Sequence, residues 1–164
     1  MTTNITDYIN VSQRASDLGC TVPTHMAILP TNFEFVAART DFRQLSEAAT
    51  VKTLFRTNSV PLDDFLPPSE RASYLQNNSF EWLAPTLFIS SSLLIDNPAA
   101  VSVALGVLSN YITEFLKGTP GQKRAKLDIV VERSGDMSCK KISYEGDVEG
   151  IKSLAEIVRQ ISNE

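Results

Sequence analysis

Cysteine and histidine are scarce in this chain. Of 164 residues, Cys20 and Cys139 are the two thiols and His25 the single imidazole. Two cysteines cannot build a disulfide framework, and they read as reduced thiols of a cytoplasmic protein. His25 has no Cys or second His at ligand spacing, so neither a metal nor a cofactor is expected. A Ser-His or Cys-His nucleophilic pair would have to use His25, and no motif surrounds it. A Gly-x-Ser-x-Gly elbow, a Gly-Lys-Ser/Thr phosphate loop and the calcium-loop pattern are all missing. Apolar runs are short. None approaches the ~20 residues of a membrane-spanning helix, and the opening residues lack the basic start and apolar core of a secretory signal. Positive charge is in deficit as well: 15 Lys and Arg against 19 Asp and Glu give a net charge of −4 and a pI near 5.1. That is the wrong sign for a protein held on nucleic acid by its overall field. The local run Lys123, Arg124 and Lys126 has no interleaved aromatics and reads as a solvated loop. These absences lean against an enzyme without excluding one.

What is present is an ordinary globular composition, 43% hydrophobic and 21% charged, in a chain long enough to bury a core as a single domain, 1–164. Its centre is the stretch 85–116. Leu87, Phe88 and Ile89, bounded by Pro85 and by Ser90, Ser91 and Ser92, suit a buried strand. Asn97 and Pro98 form a helix start. Val101, Leu105, Leu108, Ile112 and Phe115 then recur at helical spacing, and Val103, Val107 and Tyr111 make a second stripe. Two apolar stripes imply a helix covered on more than one side, or by a partner chain.

On either side of this centre, an amphipathic helix is expected over 4–18, ended by Gly19. A strand is expected over 25–29, stopped by Pro30, and a second short strand over 33–37. A helix capped by Asp41 should run to about Arg56, with Phe42, Leu45, Ala49 and Leu54 or Phe55 inward. Residues 57–84 read as a long Pro-containing loop, with a short helix beginning at Pro68 as an alternative. Residues 126–133 and 140–145 alternate as a hairpin about Ser134-Gly135-Asp136. Asp147 should cap a final helix whose stripe is Val148, Ile151, Leu154, Val158 and Ile161. The strand at Leu87 and the strand at Leu127 are joined through a helix and should be parallel. The expected class is α/β with α+β character: a mixed sheet with a parallel crossover and a C-terminal antiparallel hairpin, helices packed on the sheet.

The last ~70 residues run helix, charged loop, strand, glycine turn, strand and capped helix, with the turn Ile142-Ser143-Tyr144-Glu145-Gly146-Asp147 leading into the final helix. That order resembles the effector-associated constant component modules of bacterial conflict and defence systems. The resemblance covers less than half of the chain and carries over no functional residue. It implies an accessory protein that works beside an effector enzyme.

From the residues themselves, a protein-binding or adaptor module is expected, with another protein as partner. Phe65, Tyr74, Phe80 and Trp82 are the candidate contacts, and Tyr111 and Phe115 a second patch, because aromatic anchors carry interface affinity. Two alternatives stand beside it. One is a ligand sensor or small enzyme with a site at Ser90, Ser91, Ser92 and Asn97, where open α/β sheets place ligands. The other is a homo-oligomer built on an exposed stripe of Val103, Val107 and Tyr111. The acids Asp128, Glu132, Glu145, Asp147 and Glu149 read as helix-capping and solvated-strand residues. No membrane partner is expected.

Overall fold

The computed structural model describes residues 2–75, 82–83, 85–118 and 124–163. Among the described residues there are nine strands and five α-helices. The strands are β1 (Thr2–Tyr8), β2 (Met26–Leu29), β3 (Arg43–Leu45), β4 (Leu62–Asp63), β5 (Ser73–Leu75), β6 (Trp82–Leu83), β7 (Thr86–Ile89), β8 (Arg124–Glu132) and β9 (Cys139–Asp147). The helices are α1 (Val11–Asp17), α2 (Glu47–Thr57), α3 (Ser91–Asp96), α4 (Ala99–Phe115) and α5 (Leu154–Ser162), with 3-10 turns at Arg39–Asp41 and Val148–Ser153.

One mixed sheet organises the molecule, in the order β1-β9-β8-β7-β2-β4, with β6 beside β8. The central pair β7 and β8 is parallel, Leu87 opposite Ile129 and Ile89 opposite Val131, as the helical crossover through α4 requires. The hairpin β8-β9 is antiparallel over nine residue pairs, from Arg124 with Asp147 to Glu132 with Cys139. β3 and β5 form a separate two-stranded parallel sheet. The fold is therefore the expected mixed α/β class, in one compact body.

Side chains alternate across each strand, and the alternation builds two cores. Met26, Ile28, Leu87, Ile89, Leu127, Ile129, Val131, Ile142 and Tyr144 point to one face and meet α2, α4, α5 and the 3-10 turn before α5. Ala27, Leu29, Phe88, Val130 and Cys139 point to the other and meet Val11 and Ala15 of α1 together with Phe33, Val36, Phe42 and Phe65 from loops. β2 and β7 are apolar on both sides because both faces are covered.

Several expectations are corrected. Residues 4–18 are not one helix: Thr2–Tyr8 is a strand along β9, with Ile5 opposite Ile142. The helix begins only after Asn10, whose side chain accepts from Gln13 N–H, and Gly19 follows it in the left-handed region at φ 72°. Residues 33–37 are not a strand. Phe35 N–H and Val36 N–H both donate to Asn32 C=O, a turn that buries Phe33 and Val36 and leaves Phe35 82% exposed. The helix expected from Asp41 starts at Glu47, after strand β3, and its buried residues are Ala48, Val51 and Phe55. Residues 57–75 hold two short strands, β4 and β5, and no helix begins at Pro68. After β7, Ser90 caps and Ser91 and Ser92 begin the helix α3. Asn97 ends α3 instead of capping α4, whose N-cap is Pro98 and has no side-chain cap. Asp147 makes no side-chain cap; the chain turns through Val148–Ser153 before α5.

Candidate functional site

Helix α4 packs against α2, α5 and the 3-10 turn before α5. Val101, Ala104, Leu105, Leu108 and Ile112 are buried beneath it. At about 1.5–3 kcal/mol for each large apolar side chain, this inner face holds the helix on the sheet. Ser109 belongs to the same face, and its hydroxyl donates to Val148 C=O at 3.4 Å.

The outer face is unusual for a helix that meets solvent. From Ala99 to Thr113 there is no charged side chain. Ala99, Ser102, Val103, Asn110 and Thr113 are exposed, and Gly106, Val107 and Tyr111 are half-buried. Val103 is 46% exposed and Phe115 51%. The rings of Tyr111 and Phe115 lie 6.2 Å apart, tilted at 41°. The i, i+4 row Val103, Val107, Tyr111, Phe115 is thus a continuous apolar ridge. Thr113 does not add a free hydroxyl, since it donates to Ser109 C=O at 2.9 Å. Next to the start of α4 a groove of about 590 Å³ opens between it and α5, lined by Leu94, Ala99, Ser102, Lys152, Glu156 and Arg159 among others.

Of the expected aromatic loop contacts, Phe65 and Tyr74 are described, and both line one groove. Phe65 is only 5% exposed and sits 5.3 Å from the ring of Phe33, so it is a core residue and not a contact. Tyr74 is 55% exposed and lines a second groove of about 450 Å³ with Gln44, Lys52, Arg56 and Arg71. There Asp64 accepts from Arg56 at 2.8 Å and pairs with Lys52 at 3.3 Å. Phe80 and the side chain of Trp82 lie outside the described residues. Among the described residues, Tyr111 and Phe115 are the aromatic candidates in ring contact with each other.

The third candidate surface is the sheet end where β7 and β8 finish. The serines expected there are spent internally. Ser90 is the N-cap of α3 and accepts from Leu93 N–H at 3.2 Å. Ser91 donates to Glu132 through its hydroxyl at 3.0 Å and its backbone N–H at 3.1 Å. Ser12 of α1 donates to the other oxygen of the same carboxylate at 2.7 Å. Ser92 and Asn97 are exposed and take no part in this cluster. Glu132 is 2% exposed, so it is not the solvated strand residue expected. Its partners come from α1 and α3, elements whose proximity no local pattern announces. On the next strands, Asp63 accepts from the N–H groups of Thr24 and His25 at 2.9 and 3.0 Å and lies 3.2 Å from the His25 ring. Burial raises the Asp63 carboxyl, but these hydrogen bonds and the imidazole outweigh it and hold its pKa below the ordinary value. Cys139, opposite Glu132, is buried, and desolvation pushes its thiol up to about 11. Such a thiol is not an activated nucleophile.

Among the described residues, no three His, Cys, Asp or Glu side chains converge where a metal ion could sit. Nor is any helix among them long and apolar enough to cross a membrane. The fold and its surfaces define a mixed α/β protein with an apolar helix face. Comparison with family models, with curated proteins and with solved structures finds no match for this chain.

Proposed function

We propose that the protein is a non-enzymatic binding module that docks a protein partner on the outer face of α4. The observation that carries this reading is the ridge itself. It combines an uncharged stretch from Ala99 to Thr113, in which Val103 is about half exposed, with the half-exposed Phe115 just beyond Glu114, its ring tilted against Tyr111, which packs partly on the core. Interface centres are depleted in charge and enriched in aromatic anchors, and a solvated helix face is ordinarily charged. The sealed sheet end favours the same reading, because the hydroxyls best placed for catalysis or ligand binding already have internal partners. In the setting that the C-terminal resemblance implies, the module would work beside an effector enzyme of a bacterial defence system.

The test is a double variant, Val103→Asp with Phe115→Ser, assayed for complex formation and for melting temperature. The complex should be lost and the melting temperature should stay near that of the parent, since surface substitutions away from caps and cores change stability by about 0.5 kcal/mol or less. A complex that persists with the ridge disrupted would refute the reading.

A further inference from the structure

The groove beside Tyr74 is separate from the face of α4, and we infer that it is a binding site for a small uncharged aromatic molecule that donates one hydrogen bond, received by Gln44.

The site lies where the main sheet runs out. β4 pairs with β2 only as far as Asp63, opposite Ala27, so that edge of β2 has no paired strand at Ile28 among the described residues. Gln44 of β3 fills in, and its Nε2 donates to Ile28 C=O at 3.4 Å. That contact fixes which way round the amide lies, because a carbonyl can only accept. The other half of the amide is left over. Gln44 is 6% exposed and lines the groove of about 450 Å³. Its Oε1 is shielded from solvent and has no hydrogen-bond partner among the described residues. Buried polar atoms are matched as a rule, and bulk water does not reach this one. What Oε1 lacks is a donor, and a ligand in the groove can bring one. A small shift of the Gln44 side chain exposes the oxygen, since a 3.4 Å contact holds the amide loosely.

The walls set the chemical class. Ile28, Phe42, Ala48 and Phe65 line the groove and are buried. An apolar wall with one oriented polar group is the usual plan of a small-molecule site. Tyr74 is the register partner of Gln44 on β5, so both side chains leave the small sheet on the same face. Its ring is 55% exposed and is placed to stack on a flat ligand. The charges do not select an ion. Three acids and three bases line the groove. Asp64 is engaged by Lys52 and Arg56, Glu70 by Arg39 and Asp63 by the amides of Thr24 and His25. Arg71 is exposed and solvated.

An isomeric pair of ligands tests this. 3-Methylindole carries an N–H; 1-methylindole has the same atoms and no donor. Each is titrated into the full chain and followed by the amide signals of the protein. 3-Methylindole should bind with a Kd of roughly 1 mM and should move the signals of Gln44 and Tyr74. 1-Methylindole should bind about tenfold more weakly. Gln44→Leu should bind the two isomers alike. Ala49→Trp, at an exposed position of α2 that lines the groove, should fill the space and abolish binding of both, and it tests the site even where Gln44→Leu fails to fold. Val103→Asp on α4 should bind 3-methylindole as the parent does. Equal affinity of the parent for the two isomers, no shift at the groove up to about 3 mM, or binding that survives Ala49→Trp would overturn the inference. None of these results bears on whether a protein docks on α4, so the two readings stand or fall separately.

Discussion

The sheet end at Glu132 and the outer face of α4 are opposites. The first is crowded with functional groups and closed. The second has almost none and leaves Val103 and Phe115 about half exposed. By the usual search for chemistry the sheet end is the better candidate: serines after a central strand, a carboxylate, a His-Asp pair and a thiol within a few strands of one another. Yet, Ser92 apart, the hydroxyls and carboxylates there already have partners. Glu132 takes three hydrogen bonds, Ser90 caps α3 and Asp63 is held by two backbone amides. On the outer side of α4, by contrast, Val103 and Phe115 stay about half exposed. The polar groups of the sheet end are largely spent inside the fold, so polarity alone is a poor guide to a binding surface.

If that contrast is right, Glu132 is structural, and removing it should be the most damaging change at either region. Glu132→Ala leaves the buried Ser91 N–H and two hydroxyls without an acceptor, and should destabilise the fold by about 3 kcal/mol. Glu132→Gln keeps an oxygen for Ser91 N–H and offers an amide to the hydroxyls, which can turn to accept it. It should cost about 1 kcal/mol. Urea unfolding of the two variants decides this. If both fold as stably as the parent, the carboxylate is not a latch, and the sheet end regains its claim to be a ligand site.

The same contrast explains what could be read from the residues and what could not. The β8-β9 hairpin, β2, β7 and the long helix α4 were legible because their periodicity is local and strong. The ridge was legible for the same reason, since Val103, Val107 and Tyr111 form a second stripe on a helix that needs only one. The strand Thr2–Tyr8 was missed. Ile5, Tyr8 and Ile9 fit a helical face, and only the pairing with β9, more than 130 residues away, decides for extended structure. Phe65 looked like a contact because loops usually face solvent, but its ring completes a core begun by Phe33. Glu132 was unreadable in principle. Its burial depends on Ser12 and Ser91, which approach it from 120 and 41 residues away.

A smaller effect tests whether the sheet end is sealed. Cys139 sits opposite Glu132 in the hairpin register and is 2% exposed. With its thiol pushed up to about 11 by burial, it should resist a thiol reagent at pH 8 in the native protein and react once the chain is unfolded in urea. Labelling of the native state then proceeds through opening of the fold, at a rate set by local stability. Glu132→Ala should accelerate it and Val103→Asp should not. Rapid labelling of Cys139 in the parent protein would mean that this end is open to solvent.

The smallest expected effect is the acid response of the neighbouring pair, Asp63 and His25. The folded carboxyl of Asp63 releases its proton more readily than the ordinary value of 3.8, because in the ionised form it accepts from Thr24 and His25 N–H and faces the imidazole. Around that pH the unfolded chain therefore binds more protons at this site than the folded one, and stability rises with pH across the interval. The contribution is complete above about 4 and fades as pH falls through the lowered folded value. Asp63→Asn should remove it. The variant should lose stability at pH 7 and show a shallower decline than the parent between pH 4 and pH 2, measured as urea midpoints. A variant whose midpoint falls with acid as steeply as the parent's would mean that Asp63 is not held by its neighbours, and that its carboxylate is available to a ligand after all.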